Sequence, residues 1–274
     1  MDISKVEAQS KKVVQPYAWG HAVWHVWGTD KGEPLVLLHG GSGSWTHWLR
    51  NVAHLSQKRA VWALDIPGFG ESDLPDGASD ADDLVPYVAE ILQHTFKGNA
   101  VDVMGFSFGA MTAGLVAAQH TTLIRQLMLV GAPGLGLFGR DLPMRGMLPH
   151  MDDAAQREVH THNLRAMMFA HAETATDEVV DLQQANVARD RLRRRRVART
   201  DVLARAQTQW VCPVHGIWGE LDALYTGKLQ QVPHVLTRLN SFTVVPDAGH
   251  WVMFERPDAF HAAIDPLLRP SNSA

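Results

Sequence analysis

The sequence predicts an α/β fold: a mostly parallel central sheet with helices on both faces and a helical block inserted late in the chain. Two observations carry this. Short apolar runs alternate with longer helical patterns, and the alternation breaks after Gly131 and resumes at Cys212-Pro213.

Each element has its own signal. Leu35 to Leu38, Ala60 to Leu64 and Val101 to Met104 read as buried strands, as do Arg125 to Val130, Val214 to Trp218 and Ser241 to Val245. Apolar runs of this kind suit parallel strands covered on both faces. His21 to Trp27 reads as an earlier antiparallel strand. Ala81 to His94 and Phe108 to His120 read as helices, with His94 and His120 as C-terminal caps. Residues 135–206 contain no convincing strand, so they are expected to form a helical lid. Residues 1–134 and 207–274 then form the core.

Bulk properties narrow the class. The chain has 274 residues, enough to bury a sizeable core. Its formal net charge of −4 favours no polyanion and no anionic membrane surface. One cysteine, Cys212, rules out an internal disulfide, and its place before Pro213 reads as a buried strand residue. Residues 1–14 carry no apolar stretch of signal-peptide length, and no run reaches membrane-spanning length. The expectation is a cytoplasmic protein that acts on a small molecule, without nucleic acid or membrane as partner. A homo-oligomer stays open.

The chemistry starts at Gly105-Phe106-Ser107-Phe108-Gly109, a G-x-S-x-G between a strand and a helix. A serine in so tight a turn needs neighbours without side chains two positions away. Ser107 is therefore the candidate nucleophile. A hydroxyl needs a base, and this architecture supplies the acid and then the histidine later in the chain. Asp222 follows the strand Val214 to Trp218, and His250 follows Ser241 to Val245. Both sit past strand C-terminal ends, where sites in open α/β sheets form. Glu220 and Asp247 are the rival acids.

Acyl chemistry also needs two donors for an oxyanion. The N–H of Phe108 is one. The second is expected from the glycine-rich His39-Gly40-Gly41-Ser42-Gly43, at Gly41 or Ser42. No Gly-Lys-Ser/Thr follows, which disfavours a phosphate loop. No cofactor and no metal is expected.

With Asp65-Ile66-Pro67-Gly68-Phe69-Gly70-Glu71-Ser72 added, residues 20–268 resemble the α/β-hydrolase superfamily. Within it the chain is similar to the carbon–carbon-bond hydrolases that cut meta-cleavage products of aromatic degradation. The double glycine after His39, Arg50-Asn51, and Trp251 directly after His250 carry that likeness. The resemblance implies a pocket lined by Trp251 and Phe106, and a lid arginine that binds a substrate carboxylate, best matched by Arg189. It also implies that Asp65 is structural. The chain departs from that family where Phe106 replaces an Asn, where Ser42-Gly43 replaces Pro-Gly, and where His47 or a neighbour replaces another Asn. The reading is a cofactor-free serine hydrolase that cleaves a carboxylic ester, or a carbon–carbon bond next to a carbonyl, in a small, largely apolar substrate. A non-catalytic, receptor-like member of the same fold is the alternative.

Other signals have plainer readings. Seven arginines between Arg189 and Arg199 read as a solvated helix face. His160-Thr161-His162 lacks a third ligand at metal-site spacing. Met147, Met151, Met167, Met168 and Phe169 are expected on the underside of the lid.

Overall fold

The computed structural model describes residues 3–137, 142–148, 150–192 and 194–268. Eight strands form one sheet: β1 (Lys11–Tyr17), β2 (Gly20–Trp27), β3 (Pro34–Leu38), β4 (Ala60–Asp65), β5 (Val101–Phe106), β6 (Ile124–Val130), β7 (Val214–Gly219) and β8 (Ser241–Val245). Their order is β1-β2-β4-β3-β5-β6-β7-β8. β1 and β2 pair antiparallel, as do β2 and β4, and every later pair is parallel.

β1 was not foreseen. Its sequence, Lys11-Lys12-Val13-Val14-Gln15-Pro16-Tyr17, buries no residue fully, and Pro16 suits only an edge. Lysines and a proline on an edge strand also oppose pairing with other chains. In the middle of the sheet the logic reverses. Leu35 to Leu38 of β3 and all of β5 are buried, because helices cover both faces.

One apolar layer packs helices Val85–Thr95 and Phe108–Gln119 against Val36, Leu38 and Val103. The other packs Trp48, Phe254 and helix Pro257–Ile264 against Leu35, Leu37 and Met104. Alternate residues of β3 thus serve opposite layers, the two-residue period of a strand.

Between β6 and β7 the described residues contain no strand. Helices Asp153–Asn163 and Asp177–Ala188 alternate with irregular chain and a π-helical turn, Leu164–Met168. The arginine-rich stretch is not a helix face. Arg189 ends the Asp177–Ala188 helix, and residues 190–192 and 194–196 lie outside any helix before a short turn at Val197–Arg199. Arg191 turns inward to donate to the carbonyls of Phe69, Gly70 and Ser72. No helix among the described residues is long and apolar enough to cross a membrane.

Candidate active site

The turn at Ser107 is forced by its neighbours. Ser107 has φ 50° and ψ −116°, a left-handed conformation that costs a non-glycine residue free energy. A Cβ on Gly105 would stand 2.5 Å from the Gly109 carbonyl oxygen, and one on Gly109 would stand 2.3 Å from that of His39. Both flanking glycines are therefore steric requirements. Ser107 N–H donates to the Val130 carbonyl at 2.8 Å, which ties the elbow to β6. Phe108 opens the helix, so its N–H has no intrahelical acceptor.

The three residues from distant parts of the chain meet in a line. Ser107 Oγ lies 2.9 Å from His250 Nε2, and His250 Nδ1 lies 2.8 Å from Asp222 Oδ2. A carboxylate only accepts, so Nδ1 carries the proton and Nε2 is left to accept from the serine. The Asp222 and His250 side chains are almost wholly buried, at 0% and 1% exposure. Asp222 Oδ1 is held by the Leu224 N–H at 3.0 Å. The rival acids are engaged elsewhere. Glu220 accepts from the Asp247 N–H, and Asp247 pairs with Arg256 and with His171 at 2.7 Å.

Ser107 opens on a cavity of about 360 Å³. Gly40, Gly41, Ser42, Phe106 and Phe108 line it from the core, and Leu142, Met144, Met167 and Met168 from the segment between β6 and β7. Arg195 and Arg199 add charge at one side.

A model of the alpha/beta hydrolase family matches residues 35–263, which hold all of this machinery. The chain belongs to the alpha/beta hydrolase family. It is 27% identical over 255 residues to a dihydrolipoyllysine-residue acetyltransferase component of an acetoin cleaving system from Pseudomonas putida. That match covers 90% of this chain and 66% of the relative, so the chain spans just under two thirds of that protein. It is 25% identical over 252 residues to a 2-hydroxy-6-oxo-6-(2'-aminophenyl)hexa-2,4-dienoic acid hydrolase from Metapseudomonas resinovorans, covering 84% of this chain and 82% of that one. Naproxen esterase from Bacillus subtilis shares the fold: the TM-score is 0.74 at 17% identity, over 97% of this chain and 95% of that one. The superfamily resemblance read from the motifs, including its meta-cleavage-product branch, is thus matched by similarity along the chain.

Within this α/β-hydrolase-family chain, some expected residues lie elsewhere. Arg189 is exposed and does not line the Ser107 cavity. It borders a separate cleft of about 740 Å³ beside Ser44, Asp65, Glu71 and Asn186. Trp251 is also absent from the cavity wall. Its ring is fully buried, stacked 5.6 Å from Phe169, and its indole N–H donates to the His47 carbonyl at 3.0 Å. Met147 does not line the cavity, and Met144, itself 44% exposed, does.

Three residues were given no role from the sequence. The Arg195 guanidinium lies 4.9 Å over the Phe108 ring and 5.2 Å over that of Phe69, and pairs with Asp190 at 2.8 Å. Burial lowers its pKa, while Asp190 and Asp80 oppose the shift. Nothing marks it within Arg193-Arg194-Arg195-Arg196. His47 is buried beneath the glycine-rich turn, and its Nδ1 accepts from the Gly40 N–H at 3.1 Å. Buried Glu255 accepts from the N–H groups of Gly249 (2.6 Å), Ala170 (3.1 Å) and His171 (2.9 Å). It thereby clips the His250 loop to the chain that follows Met168. Glu255 stands five residues after His250, a spacing with no motif attached.

Proposed function

We propose that this chain is a cofactor-free serine hydrolase acting on a carboxylic ester, or on a carbon–carbon bond next to a carbonyl, in a small, largely apolar substrate. The observation that carries it is the unbroken relay from Ser107 Oγ through His250 to buried Asp222. Ser107 Oγ attacks the carbonyl carbon as its proton passes to His250 Nε2. The imidazolium then returns that proton to the leaving group, and Asp222 stabilises the charged ring meanwhile. Water, deprotonated by His250, attacks the acyl-enzyme and frees a carboxylic acid.

The oxyanion is held by the N–H of Phe108 and that of Gly41 or Ser42. Residues 135–206 act as a lid, and Leu142, Met144, Met167 and Met168 present the apolar side of the substrate pocket. Of the two arginines on the cavity wall, Arg195 and Arg199, we assign Arg195, held over Phe69 and Phe108, to meet a substrate carboxylate in place of Arg189. The named dienoic acid hydrolase relative supports the carbon–carbon branch of this reading.

Labelling with a fluorophosphonate tests it. A covalent adduct at Ser107, lost in Ser107→Ala, is expected. An unlabelled protein would sink the hydrolase reading and favour the receptor-like alternative.

A further inference from the structure

The glycine-rich turn is tied down at both ends. At one end, Gly40 N–H donates to His47 Nδ1 at 3.1 Å. Accepting there leaves the proton of the neutral ring on Nε2. The ring is fully buried and wedged under Gly43, where a Cβ would stand 2.2 Å from its Cε1. At the other end, the Ser42 carbonyl accepts from Gln183 Nε2 at 3.3 Å. Ser42 Oγ donates to Asp190 Oδ2 at 2.6 Å. Ser42 itself has φ 50°, so the turn holds a strained residue that its surroundings must fix.

Between these two ends, each tether has one buried polar atom left over. His47 Nε2 and Gln183 Oε1 are both buried, and neither makes a hydrogen bond of normal geometry. Gln183 reaches the Ser42 carbonyl while the His47 ring lies against the next residue, Gly43, so both side chains meet adjacent residues of the turn, and Gln183 opposes the fall in the imidazole pKa that burial causes. A donor and an acceptor left in this state each carry a desolvation cost that closer approach would relieve. Gln183 belongs to the helix Asp177–Ala188, in the segment between β6 and β7. The same helix reaches the turn again through Asn186, whose Oδ1 accepts from Ser44 Oγ at 2.9 Å.

We propose that His47 and Gln183 are positioning residues that bridge the two ends of the oxyanion turn, Gly40 N–H to Ser42 C=O, so that seating of the Asp177–Ala188 helix sets the direction of the turn's N–H donors. Neither touches the reacting atoms. The inference rests on the serine-hydrolase reading above and deepens it: the site's competence depends on the helical segment that covers it.

The experiment uses the full chain, a neutral aryl ester and fluorophosphonate titration of Ser107. Gln183→Ala and Gln183→Glu change a half-buried helix position and keep the core intact. Removing an oxyanion donor outright costs about 10²–10³ in kcat, so a misdirected one should cost roughly 10–100-fold, with KM moving by less than about threefold. Gln183→Glu should fall below Gln183→Ala, because a carboxylate cannot donate to the Ser42 carbonyl and sets negative charge beside the developing oxyanion. His47→Asn keeps an acceptor near the Nδ1 position and loses the Nε2–H. Combined with Gln183→Ala it should cost less than the product of the two single effects, because either change breaks the same bridge. If wild-type Ser107 labels but both Gln183 variants keep kcat within twofold, the proposal is overturned and the hydrolase reading survives. Multiplying effects in the double variant would also overturn it. No labelling of the wild type overturns the hydrolase reading, and this proposal with it.

Discussion

Asp222 and His250 are joined at 2.8 Å with almost no solvent access to either side chain, although 28 residues separate them. Asp247, only three residues before His250, is an exposed partner of His171 and Arg256 instead. Proximity in sequence did not select the acid. Asp222 closes the turn after β7, and Gly131 at the end of β6 leaves room for both partners. A Cβ there would come within 3.1 Å of the His250 ring.

The acid assignment makes the sharpest prediction. Asp222→Asn keeps the shape but stabilises the wrong tautomer, so kcat should fall by about 10⁴. Glu220→Gln and Asp247→Asn should each stay within a few-fold of the parent. Steady-state rates of the three variants on one ester decide it, and a large loss in Asp247→Asn with a small one in Asp222→Asn would reverse the assignment.

Ser107→Ala should lose about three or more orders of magnitude in kcat while unfolding at nearly the parent temperature. Gly105, Gly109 and the following helix are untouched, so the elbow keeps its geometry. Rates and thermal unfolding are measured on the same preparation. Activity within tenfold of the parent would contradict the role given to Ser107.

The two arginines should separate cleanly. Arg195→Ala should raise KM for carboxylated substrates by roughly 10-fold or more, the scale of a lost charge-assisted hydrogen bond, and change KM little for neutral esters. Arg189→Ala should affect neither class, because Arg189 borders a different cleft. An equal effect of Arg195→Ala on both classes would point to loss of its packing over Phe69 and Phe108.

Acid stability should show two opposed contributions in one pH window. Burial pulls His39 down to about 4 from 6.5, so its contribution is whole above 6.5 and is lost as pH falls toward 4. Burial pushes Asp65 up to about 6 from 3.8, so its charged form costs stability above 6, and that cost disappears as pH falls toward 4. Relative to the parent, Asp65→Asn should therefore steepen the loss of stability between pH 6.5 and 4, and His39→Gln should flatten it. Each change is at most about 1.4 kcal/mol per pH unit. Denaturant unfolding at stepped pH reads both slopes, and unchanged slopes would show that neither group titrates differently on folding.

Much of this was legible in the chain itself. Apolar runs such as Leu35 to Leu38 located the inner strands, because a strand covered on both faces has little choice of composition. Gly105 and Gly109 located the elbow, because no other residue fits against the Gly109 and His39 carbonyls. The order of Ser107, Asp222 and His250 along the alternating strands is enough to put all three past strand ends. The edge strand β1 escaped notice because its residues bury little and so leave no apolar pattern.

What only the tertiary structure decided is where long, irregular segments come to rest. Sequence placed Arg189 in the pocket and overlooked Arg195, though both lie in one basic stretch. The difference comes from where the chain leaves the Asp177–Ala188 helix: Arg189 caps it facing outward, while Asp190 and the rings of Phe69 and Phe108 draw Arg195 in. Trp251 followed the expected motif and yet went into the core, because the His47 carbonyl takes its indole N–H and Phe169 stacks on its ring. Local composition fixes a periodic element, whose face follows from its repeat. The direction of a side chain on an aperiodic segment depends on tertiary partners, many of them distant in sequence, and no local pattern records them.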